Sequence, residues 1–145
     1  MKNKGFTLIE LLAVIVILAI IALIATPMIL GVIDDAKKKS AQTSAQYYVE
    51  AVEKSMMTYQ MNNNKAIADG TYKVGANGTT LTCNSGDCET ADAKSFNVNV
   101  KGDKAKENGT VTIANGQVTG ATLTFEGIIA KAVTVNADGS TSIAS

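Results

Sequence analysis

Hydrophobic and polar positions divide the chain into a helical front and a strand-rich remainder. From Leu11 to Ile33 there is no charged residue, and only Thr26, Pro27 and Gly31 interrupt the large aliphatics and alanines. As a helix, such a run is long enough to cross a bilayer. The helical pattern continues to about Gln60 but becomes two-faced. Ala41, Ala45, Tyr48, Val52, Met56 and Tyr59 recur at spacings of three and four, while Lys38, Gln42, Gln46, Glu50, Glu53 and Lys54 occupy the other faces. That stripe predicts burial against a sheet. Proline removes a backbone donor and displaces the turn before it, so Pro27 and Gly31 predict a kink or a locally unwound segment where the apolar half meets the polar half.

After about residue 60 the long helix formers become scarce, and Gly, Asn, Thr, Asp and Val take over. Asp69-Gly70, Asn77-Gly78, Asn108-Gly109, Asn115-Gly116 and Asp138-Gly139 are turn signals, because these pairs accept positive φ and favour tight hairpins. Between them lie alternating runs such as Phe96, Val98 and Val100, or Val111 and Ile113. The prediction is an antiparallel sheet with one wet face. A two-residue loop at Asn115-Gly116 would pair Ala114 with Gln117 and Ile113 with Val118, leaving both apolar side chains on one face. Past Gly120 the apolar phase moves to Ala121, Leu123 and Phe125, which predicts a bulge or a strand end. The same two-residue construction at Asp138-Gly139 would pair Thr134 with Ile143, a poor match that predicts a longer loop. The fold class is therefore α+β: a long N-terminal helix packed on a small antiparallel sheet.

Composition narrows the function by exclusion. Acidic and basic residues balance at 13 each, so bulk charge draws the chain neither to nucleic acid nor to a charged substrate. Histidine is absent and there are two cysteines, too few ligands for a zinc cage made by this chain alone. Asp138 stands without the further carboxylates that a calcium loop needs. No nucleophile-and-base pattern and no phosphate loop is present. The sequence implies no enzyme, no cofactor and no metal. The Asn-Gly-Thr triplets at 77–79 and 108–110 have the form of glycosylation sequons but read better as turns.

The opening residues are the most specific part. A cleaved secretory signal needs a short apolar stretch closed by a small-residue site; here the stretch is far longer and no such site follows. A plain anchor, held by Lys2 and Lys4, would have no use for Glu10, since a carboxylate in a membrane helix is unfavourable. Lys4-Gly5-Phe6-Thr7-Leu8-Ile9-Glu10-Leu11-Leu12 resembles the processing site of type IV prepilins and the related pseudopilins. The likeness is close over residues 1 to 35 and general in character over 36 to 60.

The resemblance implies cleavage between Gly5 and Phe6 by a prepilin peptidase on the cytoplasmic side, N-methylation of Phe6, and a role for Glu10 as partner of the Phe6 amine during assembly. It implies residues 1–5 as leader, 6–33 as the transmembrane and polymerisation half of the helix, 34–60 as its amphipathic half, and 61–145 as a β head. Lys37, Lys38 and Lys39 follow the span, so the positive-inside rule does not set its orientation; the processing motif places the N-terminus in the cytoplasm. The resemblance also suggests that a helix with a proline at position 27 can lose structure on assembly and let a filament stretch. In an exported head, Cys83 and Cys88, with four residues between them, are expected to form a disulfide. Their early, tight placement departs from the better-known pilins, whose bridge surrounds the C-terminal segment.

The expected function is a main-shaft subunit of a type IV pilus-like extracellular filament. The alternatives are a pseudopilin of a type II secretion or DNA-uptake apparatus and, with aromatics at 5%, less readily a tip adhesin or minor pilin. The partners implied are further copies of the chain, the prepilin peptidase, an assembly ATPase, a platform protein and, before assembly, the lipid of the cytoplasmic membrane.

Overall fold

The computed structural model describes residues 5–91, 94–127 and 129–144, so Met1 to Lys4, with the expected leader's Lys2 and Lys4, lie outside the described residues. One helix, α1 (Leu8–Asn63), precedes seven strands: β1 (Gly70–Val74), β2 (Thr80–Ser85), β3 (Ser95–Asn97), β4 (Thr110–Ala114), β5 (Gln117–Phe125), β6 (Ile129–Asn136) and β7 (Thr141–Ile143). A single 3-10 turn, Asp87–Glu89, lies between β2 and β3. Two compact units make up the chain, Met1–Ala36 and Lys37–Ser145.

In the first unit α1 is bare. Leu11, Ile17, Leu23 and Leu30 are all exposed, Leu23 by 79%. The helix is unbroken through Pro27 and Gly31, so the locally unwound segment that the proline predicts does not occur. Proline leaves the Leu23 carbonyl without its helical donor, while the Thr26 hydroxyl donates to the Ala22 carbonyl at 2.7 Å.

In the second unit the strands form one sheet in the order β3-β2-β1-β4-β5-β6-β7, every neighbouring pair antiparallel. The stripe on α1 is buried as its spacing predicts: Ala41, Ala45, Tyr48 and Val52 are fully inaccessible and Met56 nearly so. The sheet supplies the other half of the core, with Tyr72, Val74, Leu81, Val111, Ile113, Leu123 and Phe125. Their alternation with exposed threonines and lysines is what a sheet with one wet face requires.

The hairpin register is the one read from the sequence. Ala114 pairs with Gln117 and Ile113 with Val118, and both turn residues have positive φ, 54° at Asn115 and 73° at Gly116. Thr112 then pairs with Gly120, so Thr119 is the extra residue of a bulge. That bulge turns Ala121, Leu123 and Phe125 into the core. The β6–β7 loop is longer than two residues, with Val135 opposite Thr141.

Two expectations need correction. Of the five Asn-Gly and Asp-Gly pairs only Asn115-Gly116 forms a two-residue hairpin; Gly70 opens β1, Gly78 lies in the β1–β2 loop, and Asn108-Gly109 leads into β4. Nor does the Phe96, Val98, Val100 alternation make one long strand, because β3 stops at Asn97. Beyond it the Asn99 N–H, on the side away from β2, donates to the Ser55 hydroxyl of α1 at 3.0 Å.

Tyr48 ties helix to sheet. Its hydroxyl donates to the Gly78 carbonyl at 3.0 Å, and burial pushes its pKa up to about 12. Gly78 has φ of 65° and lies so close to the Ala105 carbonyl that a Cβ would stand 2.3 Å from it. Gly78→Ala is expected to destabilise the second unit by about 1–3 kcal/mol, measured by denaturant unfolding of the detergent-solubilised chain followed by tyrosine fluorescence. The raised Tyr48 pKa means that the fold favours the neutral phenol, whose ordinary pKa is about 10. Its contribution is therefore complete below about pH 10 and lost as pH rises towards 12. Tyr48→Phe should cost about 1 kcal/mol near neutrality and make the alkaline unfolding transition shallower; an unchanged alkaline limb would contradict this assignment.

Candidate functional site

Phe6 and Thr7 precede α1, and Leu8 is its first helical residue. That makes Thr7 the N-cap and Glu10 the third residue of the first turn. The Glu10 carboxylate accepts from the Thr7 backbone N–H at 2.9 Å and from the Thr7 hydroxyl at 2.7 Å. The Glu10 N–H in turn donates to the Thr7 hydroxyl at 3.3 Å. This reciprocal arrangement is a capping box, which satisfies N–H groups that a helix start otherwise leaves without partners. Its sequence signal, Thr-x-x-Glu directly before an apolar run, was legible, but the significance of Thr7 was missed beside that of Glu10.

Phe6 is 90% exposed, and a Cβ added to Gly5 would meet nothing within 4 Å. Gly5 is exposed as well. In the uncleaved chain the Phe6 nitrogen is an amide, and Glu10 has Thr7 as its partner. Cleavage would create a cationic amine one residue before the capping threonine.

The two halves of α1 differ in how their polar groups are used. Beyond Lys37 the helix is fastened to the sheet side by side chains: Ser44 Oγ donates to Asp103 Oδ2 at 2.7 Å, Gln46 Nε2 to the Gly139 carbonyl at 3.1 Å, and the Val118 N–H to Glu53 Oε1 at 3.3 Å. Among the described residues no buried side-chain nitrogen or oxygen lacks a partner. The helix is, by length and composition, long and apolar enough to cross a membrane.

Cys83 and Cys88 are joined in a disulfide, with Cα atoms 5.8 Å apart. Cys88 is fully buried, and Gly70 permits the close approach, since a Cβ there would stand 2.7 Å from Cys88 Sγ. Asp138 is used by its own turn: Oδ1 accepts the Ser140 N–H at 2.8 Å, and the hydrogen bonds from Ser140 hold its carboxyl below the usual range.

The head is folded on the second half of the helix, and the first half, behind its capped start, presents an exposed apolar surface. Residues 1–26 match the family described as the prokaryotic N-terminal methylation motif. Over 65 residues the chain is 43% identical to the type IV wide pilus major component PilA4 of Thermus thermophilus, covering 44% of this chain and 47% of the relative. Over 64 residues it is 36% identical to the type II secretion system core protein G of Aeromonas hydrophila, covering 44% of this chain and 42% of the relative. The matches therefore span less than half the length of these curated relatives. No solved structure matches the chain.

Thr7→Ala removes the cap while leaving Gly5, Phe6 and Glu10 in place. Loss of a threonine N-cap typically costs a helix start severalfold in stability, so amide exchange at Glu10 and Leu11, whose N–H groups Thr7 holds, should quicken severalfold in detergent micelles. Unchanged exchange there would show that the box does not hold the first turn.

Proposed function

We propose that this chain is the precursor of a structural subunit of a type IV pilus-like extracellular filament, processed between Gly5 and Phe6 and methylated at Phe6. The observation that carries the reading is the conjunction of the methylation motif with a helix whose apolar half is exposed along its whole length and a separately folded head. Lipid covers residues 6–33 before assembly, and helices of neighbouring copies replace lipid afterwards. Residues 34–60 carry the head on residues 61–145. The partners of this scheme are further copies, a prepilin peptidase, and the ATPase and platform protein of an assembly machine. The precursor lies in the cytoplasmic membrane with its N-terminus inside, and the product at the cell surface.

A second reading, a subunit of a type II secretion or DNA-uptake pseudopilus, has its own support in the likeness to the core protein G. The two readings share the processing chemistry and differ in whether filaments extend beyond the cell. Neither reading gives the chain a catalytic role.

Glu10 has a distinct duty in this scheme. On cleavage it can exchange Thr7 for the methylated amine of Phe6, in its own chain or a neighbour, and pairing offsets the desolvation of both charges. Glu10→Val should leave processing intact and lower the yield of filaments by about tenfold or more, because an ammonium without its carboxylate opposes burial. Gly5→Leu should block cleavage and accumulate precursor, since the side chain obstructs the extended backbone that a protease cleft receives. The deciding experiment is intact-mass and N-terminal peptide mass spectrometry of protein sheared from cells. A start at N-methylated Phe6 is expected; a Met1 form confined to membranes would overturn the proposal. Processed protein in a cell without external filaments would favour the pseudopilus.

A further inference from the structure

The two edges of the sheet are complementary to each other. At β3, the Val98 N–H donates to the Thr79 carbonyl and the Cys83 N–H to the Lys94 carbonyl, so even-numbered residues face β2. The N–H and C=O of Ser95 and Asn97 therefore point away from the sheet. At β7, the Ala144 N–H donates to the Ala132 carbonyl, so Ser142 and Ala144 face β6, and the N–H and C=O of Ile143 point away. Open edges of this kind are templates for a further strand.

Direction and face agree as well. Seven strands joined only by antiparallel pairs leave β3 and β7 running the same way. A copy displaced sideways along the sheet thus brings its β7 beside β3 in parallel. In a parallel pair, a residue whose backbone bonds outward stands opposite one whose backbone bonds inward. Ile143 would stand opposite Phe96, and both side chains belong to the core face: Phe96 is buried and Ile143 is packed on the core cluster. An antiparallel pairing would instead set Ile143 opposite Asn97, an exposed residue on the wet face.

The receiving edge also has room. A groove of about 650 Å³ lies between β3 and the helix, with Ala51, Tyr59 and Phe96 among its walls. Two shifts of register are disfavoured: moving Ile143 along to Val98 would need the Asn99 N–H that Ser55 already holds at 3.0 Å, and moving it back would set it opposite the exposed Lys94.

We propose that the heads of neighbouring subunits join edge to edge, β7 of one copy adding in parallel to β3 of the next. Three hydrogen bonds make the join: Ser95 N–H to the Thr141 carbonyl, Ile143 N–H to the Ser95 carbonyl, and Asn97 N–H to the Ile143 carbonyl. Gln42 Nε2, 3.4 Å from the Thr141 carbonyl, leaves that oxygen a lone pair for Ser95. Such a contact uses different surfaces on the two copies, so it propagates without closing into a dimer. This proposal rests on the filament reading above.

The test uses the full chain in filament-forming cells. In the proposed register Ser95 and Ser142 stand opposite each other on the wet face, and both are exposed. Since both natural cysteines are bonded to each other, introduced thiols are unambiguous. Mild oxidation of sheared filaments carrying Ser95→Cys with Ser142→Cys should give a ladder of dimers, trimers and larger species on non-reducing gels. Ser95→Cys with Asn115→Cys should give none. In unaltered filaments, amide exchange at Ser95 and Asn97 should slow by about tenfold or more relative to the solubilised subunit, as for backbone groups taken into a ladder. Processed filaments that show neither ladder nor protection would overturn the edge join and leave the filament reading standing. Absence of processing and of filaments in the unaltered chain would overturn both.

Discussion

An apolar helical surface that nothing in its own chain covers has to be taken out of water by something else, and this requirement governs the molecule. Burial of a leucine-sized side chain is worth roughly 1.5–3 kcal/mol, and the helix from Leu11 to Ile33 exposes many such side chains. Lipid and neighbouring helices are the two apolar environments that accept a continuous helix, because its backbone is already satisfied internally. Under the proposed reading, the chain could therefore pass from membrane to filament without refolding its anchor. Glu10 is the exception within that surface, and the capping box with Thr7 keeps its carboxylate engaged.

The head obeys a different logic. Its helix is held by shape and by a few polar fastenings, with Tyr48 reaching across the core to the Gly78 carbonyl and Ser44 reaching Asp103. Each such bond is modest in net terms, but a buried donor left without its acceptor is costly. They fix the rotation of the second half of α1 against the sheet, which the stripe of alanines and valines alone would specify loosely. The small residues Ala41, Ala45 and Ala51 let the helix approach closely, and the large ones, Tyr48 and Met56, fill what remains.

Much of this was legible because its signals are local. The period of Ala41 to Met56, the register around Asn115-Gly116 and the phase shift at Gly120 each follow from one periodicity and one turn rule. The processing residues were legible through an unusual conjunction of glycine, phenylalanine, glutamate and apolar run. What escaped was set by contacts distant in sequence. Nothing near Asn97 announces that β3 ends there, or that the next outward N–H, that of Asn99, is held by Ser55 on the helix. The strand order, with β1 between β2 and β4, likewise depends on long-range pairing that no hairpin signal encodes. The continuity of α1 through Pro27 shows the converse: a local breaker is tolerated where the flanking turns supply enough helix.

The buried Cys88 has a consequence for the timing of biogenesis. Its sulfur packs against Gly70 at the start of β1, so the bridge to Cys83 fastens the loop leading to β3 onto the strand beside it. Thiols stay reduced in the cytosol and oxidise outside it. Under the proposed filament reading, the head is therefore completed only after it has crossed the membrane that its helix still occupies. On that reading the bond also acts as a record of delivery, separating subunits that have reached the assembly side from those that have not.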